Sequence, residues 1–284
     1  MKLSDLPATT RDTELGTLIR EIRKRHSIAD EIARKFMLAS ALEPLSNKFG
    51  CTTRYSDLSE SKRLEFFVAA GINSGFAIRH MVEHLKATPY ISGIYEFMIE
   101  AVVMSKFNRK GAKINHGILE PLIPLIAAQV IYYEHVKEDP FRIFSLATTL
   151  LMATTRRDVD DLVRAKEIAN KISGVEKKYP VRHHDVETVY AYYQQEVATE
   201  RAQGSKLTAI LHNQQFVDQF ADIHAMLEVM IASEKKCLLE KVEDAYSFVL
   251  QKHHMKIGIG LAADHCAVCL YLYISLISHR EPIG

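Results

Sequence analysis

Asn108–Gln129 reads NRKGAKINHGILEPLIPLIAAQ, a polar, cationic loop that runs directly into a segment apolar on nearly every side. A helix hydrophobic all round has no solvent face, so it has to lie in the middle of a globular fold with other elements wrapped around it. Pro121 fits a first helical turn, and Pro124 is expected to bend the helix beyond it or to mark its true start. The N-terminus of this buried helix brings Asn115, His116 and several backbone N–H groups to the edge of the core. Lys110 and Lys113 stand just upstream. Free N–H groups and the helix dipole both favour negative charge, so an anionic, phosphorylated ligand is expected here.

The rest of the chain is built to wrap such a helix. Among 284 residues, glycine (12) and proline (8) are sparse, and strand-like alternation is nearly absent. Helical spacing recurs almost throughout, giving about eleven helices in an all-α fold. Ser27 and Asp30 form a capping-box-like start to a helix ending at Leu42, with Leu38, Ala41 and Leu42 on one face. Ser59–Leu85 is expected to turn Leu64, Phe67, Val68, Ile72 and Phe76 inward. Gly71 and Gly75, four apart, would let another helix approach. Further helices are expected over Ser92–Phe107, Phe141–Ala153, Arg156–Ser173, Asp185–Gln203, Lys206–Ala232, Glu234–Lys252 and Leu261–Ser278. No low-complexity tract or repeat divides the chain, so residues 1–284 read as one domain.

Bulk composition excludes several classes. A formal net charge of +1 sets up no global field for nucleic acid or an acidic membrane. Four cysteines do not make a disulfide framework in a chain this long. The first residues lack an apolar core of the secretory type, and the apolar run Leu261–Ile277 is shorter than the ~20 residues of a bilayer span. A reduced, cytoplasmic protein is expected, and a homo-oligomer is left open.

Several polar clusters carry candidate chemistry. Thr155–Asp161 (TRRDVDD) reads as a capping box, with Asp158 reaching back to Thr155. It also reads as a Mg²⁺-nucleotide site, in which Asp158 and Asp161 hold metal and Arg156 holds phosphate. Asp264 stands in an almost wholly apolar run, where an Asp is either paired, bound to metal or favoured by a helix dipole. His265, Cys266 and Cys269 have no second pair at zinc spacing and read as core residues. Lys48–Arg54 is a basic loop in which Gly50 would let backbone approach a ligand. His184-Asp185 is the hallmark of HD-type metal phosphohydrolases, or a helix cap. P-loop and Rossmann glycine motifs are absent from the sequence.

Taken in order, these loops resemble the triphosphoribosyl-dephospho-coenzyme A synthase family, above all its archaeal-type branch. Lys48, Gly50 and Arg54 match a Lys-Pro-Gly-Asn-Val-x-Arg loop, with Phe49 and Cys51 in place of proline and asparagine. Lys113–Gly117 resembles the Asn-Thr-Asn-Leu-Gly or Asn-Thr-His-Lys-Gly entry to a buried helix. Thr155–Val159 resembles a Thr-x-x-Asp-Ala helix start, and Ile259–His265 the closing Pro-Gly-x-x-Ala-Asp-Leu helix. The likeness covers about residues 35–278. The family's Asp-Thr element has no counterpart in Ala232–Cys237.

The resemblance implies an all-helical transferase that moves the triphosphoribosyl part of ATP to dephospho-coenzyme A, or another phosphorylated acceptor, and releases adenine. It implies Mg²⁺, with Asp158, Asp161 and Asp264 as metal ligands. Lys48, Gly50, Arg54, Lys113, Asn115, Gly117 and Arg156 would hold the nucleotide. His116, Asp158 and Asp264 would carry the chemistry, with His116 as a neutral general base. The alternatives are an eroded relative that only binds a nucleotide or a partner, and an HD-type phosphohydrolase.

Overall fold

The structure is a computed structural model that describes residues 16–17, 21, 27–88, 91–110, 113–174 and 186–277. Twelve α-helices and no named strands are found among them. They are α1 (Ile28–Leu42), α2 (Leu64–Ala87), α3 (Glu96–Met104), α4 (His116–Ile131), α5 (Tyr133–Glu138) and α6 (Arg142–Ala153), followed by α7 (Arg156–Ile172), α8 (Val189–Ala202), α9 (Leu207–Gln214), α10 (Ala221–Ala232), α11 (Leu238–Lys252) and α12 (Ile259–Leu272). The fold is all-α, as the sparse glycine and helical spacing predict.

The central position of α4 follows from its composition. Every residue from Ile118 to Gln129 is buried, and α2, α3, α6 and α12 all pack against it. The helix starts at His116, so Pro121 and Pro124 both lie inside it, not at its first turn. Neither proline can donate to the carbonyl four residues back, which leaves the Gly117 and Glu120 carbonyls without their ordinary helical partners.

The α1–α2 pair closes one side, and here the expected faces are wrong. In α1 the capping box of Ser27 and Asp30 is formed in both directions. The buried stripe is Ala29, Ile32, Ala33, Phe36 and Ala39, whereas Leu38 is 47% exposed. In α2 the inward stripe is Ala70, Gly71, Ser74, Ala77, Ile78 and Met81, while Ile72 and Phe76 face outward. Small residues win because they let α1 come close. A Cβ on Gly71 would stand 2.5 Å from Cβ of Ser40, and one on Gly75 would collide with Met37. On α2's other side Ser74 Oγ donates to the Ala101 carbonyl of α3 at 3.0 Å.

The single helix expected over Lys206–Ala232 is two, α9 and α10, broken where Gln219 and Phe220 adopt positive φ of 59° each. This is costly for residues with side chains. It is offset by burial of the Phe220 ring between Phe144 and Phe216, with centroids at 6.4 and 5.6 Å. With the π-turn Tyr273–Ile277, α12 makes a continuous apolar helix of 19 residues, long enough to span a bilayer by length and composition. It is packed as a core helix, against α1, α4, α10 and α11. Cys266 and Cys269 are buried in it and approach the carbonyls of Val242 and Ile223, so they are core residues as expected.

Candidate functional site

Three chain segments distant in sequence meet at the start of α4. They are the loop after α1, the entry Lys113–Gly117, and the first turns of α12. Between them lies an open-mouthed cavity of about 250 Å³. Gly50, Cys51, Thr52, Lys62, Lys113, Asn115, His116, Gly117 and Asp264 contribute its polar wall, and Leu58, Phe67, Ile118 and Ile259 its apolar one. Glu43 also lines it.

Local chemistry explains each placement. Gly50 has φ +75°, and a Cβ there would sit 2.7 Å from the Ile259 side chain, so only glycine lets the loop close onto α12. Tyr246 Oη donates to the Phe49 carbonyl at 2.7 Å and pins that approach. Thr52 Oγ1 donates to the Lys62 carbonyl at 2.6 Å and accepts from Leu58 N–H, folding the loop back so that Lys62 reaches the cavity. Asn115 has φ 66° and does not cap α4 with its side chain. Both polar atoms of its amide are buried with no hydrogen-bond partner among the described residues.

Asp264 and Gly117 are in direct apposition. A Cβ on Gly117 would come within 2.7 Å of the Asp264 carboxyl carbon, so the carboxylate occupies the space a side chain would take. Burial first, then the charge of Glu43, pushes its pKa up to about 8, against the opposing pull of Lys113. Asp264 is therefore mostly protonated at neutral pH. His116 moves the other way. Burial, then the charge of Lys113, lowers it to about 3, although Glu120 pulls upward. Its imidazole is neutral at pH 7.

Behind His116 lies a group that no spacing argument singles out. Glu120, wholly buried on α4, receives Lys166 Nζ and Tyr193 Oη on Oε1, both at 2.6 Å. Its Oε2 meets His212 Nε2 at 3.1 Å and His116 Nε2 at 3.6 Å. Burial alone would raise its pKa, but Lys166 and then the two histidines outweigh that and hold it well below the usual range. The signal open to sequence reasoning is a lone Glu in an apolar helix, the same kind of oddity that marks Asp264.

Other expected site residues lie elsewhere. Lys48 is buried, paired with Glu43 at 3.1 Å and donating to Ser46 Oγ at 2.6 Å, and does not line the cavity. Arg54 is exposed, with its guanidinium 4.8 Å above the Tyr55 ring. Asp158 is buried in the Thr155 capping box and also accepts from Gly93 N–H at 2.9 Å, tying α7 to the α3 entry. Arg156 bonds Asp160 at 3.1 Å and the Val186 carbonyl at 3.2 Å. Asp161 sits 3.7 Å from Arg157. Asp158 and Asp161 thus do not join Asp264, and no cluster of three or more His, Cys, Asp or Glu suited to a metal exists among the described residues. The three carboxylates do not fit a shared Mg²⁺ site. His184 and Asp185 lie outside the described residues.

Fold and cavity together define an all-helical protein with a cavity of mixed charge at the mouth of its central helix. Against protein-family models, curated proteins and solved structures, the chain gives no match.

Proposed function

We propose that this chain is an ATP-dependent transferase of the triphosphoribosyl type, acting in the cavity at the start of α4 on dephospho-coenzyme A or another phosphorylated acceptor. The observation that carries this reading is the meeting of Asp264, His116, Lys62 and Lys113 in one cavity. Lys62, Lys113 and the free N–H groups of the first turn of α4 suit phosphate oxygens. The volume lies below the roughly 300–1,000 Å³ of pockets that enclose a drug-sized ligand, so the cavity would hold part of a nucleotide and leave the rest at its mouth.

Two groups whose pKa values are pushed apart suit an acid and a base. The N-glycosidic bond of ATP would break with its electron pair passing to adenine, while Asp264, protonated, donates to the leaving nitrogen. The acceptor hydroxyl oxygen would bond the anomeric carbon and lose its proton to neutral His116. A bound triphosphate raises the His116 pKa by adding negative charge and screening Lys113, which brings the base nearer to working range.

The test is to incubate the full chain with Mg-ATP and dephospho-coenzyme A, and with other phosphorylated acceptors, and to quantify free adenine. Adenine in step with product is expected. Its absence with every acceptor, from folded protein, overturns the transferase reading.

A second reading is a nucleotide-binding relative without turnover. It is favoured by Lys48 and Arg54, which stand off the cavity. Saturation at 100 Kd adds ~2.7 kcal/mol to stability, so a Mg-ATP thermal shift without adenine release would select it. No shift up to millimolar Mg-ATP counts against both readings.

A further inference from the structure

Helix α2 turns small residues inward and large apolar ones outward. α1, α3 and α4 pack against it, yet Ile72 is 44% and Phe76 47% exposed, with Leu64, Val68 and Ala69 half-buried beside them. Positions 65, 72 and 79 are seven apart, and 68, 72 and 76 are four apart, so these side chains form one stripe along the helix. Glu65 begins the stripe, Arg79 ends it, and both are exposed. Within it, Leu64, Glu65, Val68, Ala69 and Ile72 surround a shallow depression. Glu65, Val68, Ala69 and Ile72 stand at i, i+3, i+4 and i+7, the four-residue hole into which a side chain of a facing helix fits. Phe107, also exposed, is held beside the stripe by Asn73 Nδ2, which donates to its carbonyl at 2.7 Å.

We propose that this stripe is an interface at which two copies of the chain pair their α2 helices antiparallel, about a two-fold axis through Ile72.

The stripe is complementary to itself. About such an axis, each residue before Ile72 meets the one equally far beyond it on the second copy. Ile72 then meets Ile72, Val68 meets Phe76, and Glu65 meets Arg79. Each Phe76 ring is carried to the depression around Val68 of the second copy, so both depressions are filled. The two Glu65–Arg79 meetings fall about 21 Å apart along the helix. A parallel pairing would set Glu65 on Glu65 and Arg79 on Arg79, so charge decides the orientation.

Within one copy, Glu65 pairs with Arg63 at 2.7 Å, and Arg79 with Asp30 and Glu83 at 2.9 and 3.0 Å. These contacts are at the surface, where ion pairs add little to affinity, so burial of Ile72 and Phe76 carries the association and the charges set its register. Four turns of helix make a short seam, at the low end of specific interfaces, and a reversible dimer is expected.

Sedimentation velocity of the full chain over a dilution series tests this. Wild type is expected to pass from the mass of one chain to twice that mass as concentration rises. One-chain mass at every concentration up to the solubility limit overturns the proposal. Ile72→Glu sets two like charges on the axis and is expected to remain at one-chain mass, with its helical circular dichroism unchanged. A dimer that persists in this folded variant uses another face and overturns the proposal. Glu65→Arg and Arg79→Glu each oppose like charges at both ends, and each is expected to raise the dimer Kd about tenfold. The double variant restores opposite charges and is expected to return Kd toward the wild-type value. A double variant no tighter than either single one overturns the antiparallel pairing. If Ile72→Glu does not fold, the charge variants, both at exposed positions, decide alone.

Discussion

The carboxylate of Asp264 on α12 rests against the bare Cα of Gly117 on α4, where a Cβ would stand 2.7 Å from the carboxyl carbon. Gly117→Ala therefore forces the two helices or the carboxylate to move. Alanine would ordinarily gain about 1 kcal/mol over glycine inside a helix. Here overpacking should reverse the sign, with a net loss of about 1–3 kcal/mol in urea unfolding and loss of nucleotide binding. An unchanged or stabilised protein would show that the apposition is not tight.

Asp264→Asn should separate stability from function. The folded pKa of Asp264 is raised from 3.8 to about 8, so its native state binds the proton more strongly than the unfolded chain. The stability it contributes is fully present below about pH 3.8 and is lost as pH rises through about 8. Asparagine, which never ionises, should remove this slope. The variant is expected to melt higher than wild type at pH 9, by a margin of about 0.5–2 kcal/mol, and to release no adenine. Melting curves at pH 5, 7 and 9 check the sign.

The acid limb should depend on His265. Its ring is fully buried, and neither nitrogen has a hydrogen-bond partner among the described residues. Burial lowers its pKa from 6.5 to about 4, so the stability of the neutral ring is present above about pH 6.5 and is lost as pH falls through about 4. His116 shifts in the same direction. His265→Leu should flatten, without abolishing, the fall in stability between pH 6.5 and 4. An unaltered slope would exclude His265 as a contributor.

Two lysines near the cavity should behave oppositely. Lys48→Met leaves Glu43 buried without its partner, and breaking such a pair costs about 3–5 kcal/mol. Lys62→Ala should leave stability within about 0.5 kcal/mol, as for a surface substitution, yet weaken Mg-ATP binding. Denaturant midpoints and nucleotide titrations on both variants separate the structural lysine from the cavity-lining one.

Asp264 and the α4 entry are legible in the sequence because each breaks an apolar pattern, and an ionisable group in such a run needs a physical reason. Glu120 breaks the same pattern but is masked by the louder Lys113–Gly117 loop. Lys48 reads as ligand-facing because its partner, Glu43, is a residue that no basic-loop motif includes. Lys62 gives no signal, since its reach depends on a loop folded by Thr52. On α2 the large apolar side chains draw the expected inward face to the wrong side. Close approach of α1 rewards absence of side chain, which hydrophobic periodicity does not register. The break before α10 lacks glycine and proline, and its left-handed Phe220 is fixed by aromatic packing that only the tertiary fold supplies.

Glu120 also has a consequence for how the molecule comes apart. Its carboxylate bonds Lys166 of α7, Tyr193 of α8 and His212 of α9 from a seat on α4. None of these helices can swing away without stranding a charge in the interior, so local fraying there is disfavoured. The amides of the four helices should exchange with solvent in a shared opening event, making these four helices a single cooperative foldon.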